Sequence, residues 1–362
     1  MHEFLLGDYF IELDWITIGQ VILLGFIGGT LSGFIGSGGA FFMTPGMMNL
    51  GVPGPVAVAS NITHKFGKAM IGSREHGKMG HVDKKLAVFM LVTAALGINL
   101  AVWVMKMMFA DGGGKGHHGA GADLYISLVF SGVLILVSVS MLRDIIKSRK
   151  TQDSTPSRKI TDFLNKLNLH PMITFPVADV KVSLWVILIC GLATGYLAGT
   201  IGVGGFIGVP AMIYVFGISS QVAAGTELFL AMFMGAYGAL NFALQGMVDL
   251  RLTLMLYLGS LVGIHLGVYG TKVVREVIIR LVTSLIILLC VVSRMIAIPV
   301  YMRKLGYIDY PSDFDAYFNT GSKALLYVSG VGGMLMILFF VFKAYVQRRK
   351  VSASLVSNTR SS

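Results

Sequence analysis

Few side chains in this 362-residue sequence are placed to act on a solute, and most stand where apolar runs begin. Ser60-Asn61-Ile62-Thr63 is followed directly by His64 and Lys65, and 166 residues later Thr226-Glu227-Leu228-Phe229 takes the matching place. Hydroxyls and amides donate to an oxyanion and tolerate a helix start. Glu227 is the carboxylate deepest in a predicted span, and an intramembrane acid is by default a functional hypothesis. It is a candidate proton carrier whose titration would drive the anion. Pairing with a cation such as Lys65, or capping of its own helix, are the alternatives. No Walker A, HExxH or GxSxG pattern occurs, so no enzyme is expected, and ATP-driven pumping would need another chain.

Before each polar set lies a glycine cluster. GFIGSGG at 33–39 is followed by Pro45, and GTIGVGG at 199–205 by Pro210. Glycine weakens a helix and proline inside one breaks it. Broken backbone at membrane depth survives only when buried in protein or lining a wet cavity. A half-helix starting after the glycines would turn its free N–H groups and positive dipole end into that cavity. Gly36, Gly38, Gly39, Gly202, Gly204 and Gly205 are therefore read as helix breaks. Gly25, Gly29 and Gly33, and likewise Gly191, Gly195 and Gly199, keep a four-residue spacing and read as close helix packing.

These elements must sit in lipid. The chain is 55% hydrophobic and 13% charged, where a soluble domain carries about 25% charge. Apolar runs near the length of a bilayer crossing recur throughout, continuous rather than alternating, so a polytopic α-helical membrane protein is predicted and a β-barrel is not. The net charge of +11 collects in loops, the positive-inside pattern, and not in a nucleic-acid patch. Cys190 and Cys290 lie in apolar runs, where neither a disulfide framework nor a zinc site is expected. The acidic start, MHEFLLGDYFIELDW, does not read as a cleaved signal peptide.

The 166-residue offset also pairs Gly25 with Gly191, Gly51 with Gly217, Gly80 with Gly246, Asp83 with Asp249 and Lys106 with Lys272. One offset held through charged positions implies duplication. Basic loops at 73–85, 143–181 and 272–280, and the tail after 343, are placed inside; 109–123 and 301–321 are placed outside. Those positions agree only if 15–50 and 182–216 each break and turn back, as one full helix plus a half-helix. The expected architecture is an all-α membrane protein of two inverted repeats, about five elements each, plus one further C-terminal transmembrane helix. The units are 1–143, the basic cytoplasmic linker 144–181, 182–300, the outer segment 301–321, and the final helix and tail 322–362. The N-terminus is predicted outside and the C-terminus cytoplasmic, in a bacterial inner membrane.

The duplicated GxxGxGG run with its following proline, each trailed by an alanine-rich helix start (AVASN at 57–61, AAGTE at 223–227), resembles the TauE/SafE family of sulfite exporters and related permeases. The resemblance covers roughly residues 15–300. It implies secondary transport of a small sulfur anion, sulfite or an organosulfonate, with export the expected direction; a channel or a membrane scaffold are the competing classes. The substrate cradle is assigned to Gly36, Gly38, Gly39, Ser60, Asn61, Thr63, Gly202, Gly204, Gly205 and Thr226, brought together near the midplane by the inversion.

For the remaining polar residues the plainer reading competes. Ser60 and Thr226 could cap or bond between helices. Lys65 and His64 are secondary candidates that could attract the anion or mark the inner end of a helix. Asn99 and His265 are equivalent in the two halves, and as mid-helix residues in apolar runs they are expected to face the interior as a packing pair. Asp83 and Asp249 read as N-caps, and Arg294 as a snorkelling cation. His117-His118 is a weak metal candidate; no metal and no cofactor is expected. The predicted partners are a small anion and the lipid bilayer, with a homo-oligomer allowed.

Overall fold

The structure, a computed structural model, describes residues 11–35, 39–111, 119–151, 161, 169–202, 204–274 and 276–359. The first half comprises α1 (Trp15–Ile35), α2 (Ala40–Asn49), α3 (Gly54–Lys78), α4 (Lys84–Asp111) and α5 (Ala120–Thr151). The second comprises α6 (Leu184–Ile201), α7 (Gly205–Pro210) with a π-helical turn at Ala211–Val215, α8 (Ser220–Leu244), α9 (Leu250–Val273) and α10 (Glu276–Lys304). A last helix, α11 (Phe314–Thr359), follows. Among the described residues, 8 helices are long and apolar enough to cross a membrane.

The duplication extends to the backbone. α8 begins and ends 166 residues after α3, and α9 begins 166 residues after α4. The left-handed turns at Gly51 (φ +90) and Gly80 (φ +72) return at Gly217 (φ +80) and Gly246 (φ +70). Both long apolar segments are broken at their glycines. α2 turns back along α1, so that a Cβ at Gly28 would meet Met43 and one at Gly46 would meet Leu24.

Glycine spacing fixes which helices touch. A Cβ at Gly25 would lie 2.5 Å from the Leu256 carbonyl oxygen, and one at Gly29 2.6 Å from Ser260 Cα. From the other side Gly259, Gly263 and Gly267 press on the backbone of Ile22–Phe34. Contacts advance together along both chains, so α1 and α9 run parallel at backbone contact. α6 and α4 repeat the arrangement: Gly191 meets Met90, Gly195 meets Ala94 and Gly199 meets Ala101. Each broken segment is thus clamped to an intact helix of the other half. By contrast α3 and α8, equivalents of one another, pack antiparallel. Gly238 lies against Ile62, Gly235 against Phe66, Gly72 against Leu228 and Gly225 against His76.

Two features, the linker and Arg294, differ from the sequence expectation, and the helix caps between them agree with it. The linker is not wholly irregular: β1 (Met172–Phe175) and β2 (Val180–Ser183) form an antiparallel hairpin. Its Ala178 amide donates to Asp83 Oδ2 at 3.0 Å, and Lys85 Nζ donates to the Thr174 carbonyl at 2.9 Å. Asp83 and Asp249 do cap α4 and α9, accepting from Leu86 N at 3.0 Å and Arg251 N at 2.9 Å. Arg294 does not snorkel. It is 1% exposed, because α11 covers it, and its guanidinium donates to Asn49 Oδ1, to Met48 Sδ at 3.5 Å and to Ser322 Oγ at 3.4 Å. Asp123, which feels its charge, accepts from Gly54 N at 2.6 Å.

Gly195→Val should destabilise the protein by about 3 kcal/mol, since no rotamer relieves a Cβ pressed on a backbone. Gly132→Val, with nothing within 4 Å, should fall within about 0.5 kcal/mol of the parent. Thermal melts in detergent compare the two; equal melting would refute the packing assignment.

Candidate functional site

α3 is 25 residues long, long enough to cross a bilayer, yet its middle is too polar to count among the apolar spans. Asn61, Lys65 and Lys68 follow at spacings of four and three, which places them on one helix face along about 10 Å of axis. The antiparallel partner α8 is itself an apolar span, and Phe66 faces Gly235 near its midpoint. The two lysines therefore lie near the middle of the α3–α8 pair, half-buried. Intramembrane cations of this kind turn inward and mark ion or substrate pathways. Lys68 Nζ donates to Ser32 Oγ at 2.6 Å, one turn before the first glycine break. Lys65 is close enough to Glu227 for their charges to interact.

At one end of the stripe lies the second glycine break. Gly202 caps α6 in the left-handed conformation, φ +76, where a side chain costs about 1–2 kcal/mol. It also faces Asn61: a Cβ there would lie 3.0 Å from Asn61 Nδ2 and 3.3 Å from Thr44 Oγ1. Asn61 Nδ2 donates to Thr44 Oγ1 at 2.7 Å, and Thr44 Oγ1 donates to the Ile201 carbonyl at 3.2 Å. One amide and one hydroxyl thus join α2, α3 and the end of α6, three segments drawn from both halves. Phe41 and Phe206 add an edge-on contact, 5.2 Å between centroids, where the two short helices begin.

At the other end lies Glu227, 4% exposed. Neither of its carboxylate oxygens accepts a hydrogen bond among the described residues. Gly208 of α7 leaves the space it fills, since a Cβ there would collide with Oε2. By repeat position Glu227 is the equivalent of Asn61.

The expected cradle is only partly assembled. Gly202, Asn61 and Thr44 meet, but Ser60 and Thr226 do not converge, because antiparallel packing sends equivalent positions to opposite depths. Ser60 Oγ donates to the Asp249 carbonyl at 3.4 Å, and Thr226 Oγ1 accepts from the Asp83 amide at 3.0 Å. These are matching contacts between halves at the two ends of the α3–α8 pair. Thr63 Oγ1 turns back on its own helix, donating to the Ala59 carbonyl at 2.8 Å. Gly39 is walled by the Gly28 backbone, and Gly204 lies against Ala198. Gly205 is buried at the start of α7. Gly36, Gly38 and the pair His117-His118 lie outside the described residues.

His64 is buried and shares a 2.7 Å hydrogen bond with Ser260 Oγ. Asn99 and His265 do not face the interior. Both are exposed on outward helix faces; Asn99 Oδ1 accepts from Tyr237 at 2.9 Å and from Asn241, while His265 Nδ1 bonds the Leu261 carbonyl at 2.6 Å. Asn99 is thus met by α8 of the other half on an outward face, whereas His265 bonds within its own helix, so the two equivalents do not pair with one another.

Sequence reasoning missed Lys68, Ser32 and Thr44. For Lys68 a signal existed, since it shares the helical face of Asn61 and Lys65. Thr44 had none, because neither Val209 nor Pro210 in the matching stretch of the second half carries a hydroxyl.

Comparison with known proteins gives one family. The model described as "Sulfite exporter TauE/SafE" matches residues 21–295. Among curated relatives from Bacillus subtilis (strain 168), the chain is 26% identical over 250 residues to "Probable membrane transporter protein YjnA", covering 68% of this chain and 88% of that one. It is 23% identical over 263 residues to "Probable membrane transporter protein YdhB", covering 72% and 93%. No solved structure matches.

Because Asn61 and Thr44 form one linkage, their alanine variants should be non-additive in stability. Each single change should cost about 1 kcal/mol, and the pair little more than either. Fully additive losses in a double-mutant cycle would refute the linkage.

Proposed function

The chain belongs to the TauE/SafE family, and on that premise we propose that it is a secondary transporter, an exporter, of a small sulfur anion, sulfite or an organosulfonate. One observation carries the reading: two lysines near the middle of the α3–α8 pair, on the Asn61 face of α3, between a glycine break and a buried acid. Ammonium groups bind oxyanions as point charges, and half-buried ones keep more of that attraction than surface charges do. The family's description supports sulfur; the geometry supports a small anion. Antiparallel packing of α3 and α8 supports inverted repeats, and the basic loops support a cytoplasmic C-terminus and an outer N-terminus in a bacterial inner membrane.

Glu227 makes the site proton-sensitive. With Glu227 ionised, Lys65, Lys68 and Glu227 together carry a net charge of about +1; with a proton added they carry about +2. A proton arriving at Glu227 strengthens the hold on an anion, and its departure weakens it, so the occupancies of proton and anion are linked.

Removing either ammonium should weaken binding by about 2 kcal/mol, roughly 30-fold in Kd. Equilibrium binding of sulfite, sulfate, thiosulfate, taurine and sulfoacetate to parent, Lys65→Ala and Lys68→Ala protein tests this. Binding that survives both changes would end the site assignment.

Glu227→Gln should retain binding but lose the pH dependence of transport. Sulfoacetate suits this test, since its charge is constant over about pH 6–8. An unchanged pH profile in proteoliposomes would sink proton coupling. Cysteines introduced beside Lys84 and Lys272 should label from the same side of the membrane, and labelling from opposite sides would refute the inverted topology.

A further inference from the structure

One half-buried hydroxyl has no part in the site as described. Tyr257 of α9 places its phenolic oxygen against the middle of α3, accepting from the Gly67 amide at 2.8 Å and donating to the Thr63 carbonyl at 3.2 Å. Those are the amide and carbonyl that an α-helix pairs at i and i−4. The hydroxyl thus bonds both partners of one rung of the ladder, in a helix that runs unbroken over Gly54–Lys78. Gly67 makes the approach possible: a Cβ there would collide with the hydroxyl and lie 2.9 Å from Tyr257 Cζ. The turn spanned by the bridge contains His64 and Lys65, and Lys68 follows at once.

Neighbouring contacts lock the bridge. The His64 and Tyr257 rings lie 4.7 Å apart, and His64 bonds Ser260 one turn further along α9. None of this is dictated by the repeat. The equivalents of Tyr257, Ser260, His64 and Gly67 are Leu91, Ala94, Leu230 and Phe233, which cannot form it. The polar dock therefore forms where α3 meets α9, on the helix that carries the lysines, and the matching residues of α8 and α4 cannot repeat it.

We propose that Tyr257 is a positioning residue for anion binding: bridging Thr63 and Gly67, its hydroxyl sets the direction in which α3 presents Lys65 and Lys68. This rests on the reading of the two lysines as the anion site. Tyr257→Phe removes the hydroxyl while keeping the ring. Its affinity for the anions of the panel should fall about tenfold, with a melting temperature close to the parent's. Adding Lys68→Ala to Tyr257→Phe should cost less than Lys68→Ala costs alone, because the two act through one turn. Hydrogen exchange of the peptide spanning 63–68, measured without anion, should accelerate in Tyr257→Phe.

The outcomes separate the two claims. If no anion of the panel binds the parent, or the lysine variants bind as the parent does, the site assignment falls and the positioning role falls with it. If the lysine variants lose binding while Tyr257→Phe keeps parental affinity, only the positioning role is overturned. Weakened binding with unchanged exchange at 63–68 also overturns it, since the hydroxyl would then not be holding that turn.

Discussion

A helix that stops inside hydrocarbon leaves amides and carbonyls that lipid cannot satisfy. This chain stops twice within its apolar segments, at the ends of α1 and α6, and the rest of its architecture follows from burying the loose ends. Small residues every fourth position let α1 meet α9 and α6 meet α4 at backbone contact, as with Gly25 on Leu256 and Gly191 on Met90. Each interrupted segment is therefore sheathed by a continuous helix from the other half. Neither half could do this alone, because the covering helix belongs to its duplicate. Glycine has two separate uses here: spaced by four it joins helices, and crowded it ends them.

The two interruptions are not held alike. α2 is fixed at its far end by Arg294, which binds Asn49 and Met48 and reaches Ser322 of α11. α11 also presses Gly330 against Phe42 of α2. Among the described residues the second interruption has no counterpart to α11. It passes through a π-helical turn at Ala211–Val215, a widened ladder often found at functional sites. Its end is met by the linker, where Thr161 Oγ1 donates to the Tyr214 carbonyl at 3.0 Å and lies against Gly217. The extra helix and the linker thus fall on different halves and give a duplicated scaffold two unlike ends.

Much of the fold was legible because lipid leaves few options. Charge in the loops, continuous apolar runs and glycine–proline clusters suffice for spans and breaks, and the 166-residue offset pairs the halves. The site was less legible, for a geometric reason. A repeat shows which residues are equivalent, and equivalence invites the assumption that they meet. In an antiparallel pair only residues near the crossing point meet, here about Gly67, and equivalents six positions from a helix start, such as Ser60 and Thr226, end at opposite depths. Lys65 and Lys68 stand near the crossing point, where no repeat signal marks them. Arg294 misled for another reason: a cation near a helix end usually reaches water, and only α11, packed from outside the repeat, closes that route.

The equivalence of Asn61 and Glu227 then acquires a physical meaning. Both occupy the same position in their halves, and both lie beside the short helix that follows a break. One is an amide tied to Thr44 across the glycine turn. The other is an acid whose oxygens have no hydrogen-bond donor among the described residues. Two halves identical at this position would flank the lysines with the same chemistry on either side. Exchanging amide for acid makes one flank fixed in charge and the other able to change it, while the cations between them stay on a single helix. A scaffold that began with two like halves has in this way become chemically directional along the axis of α3.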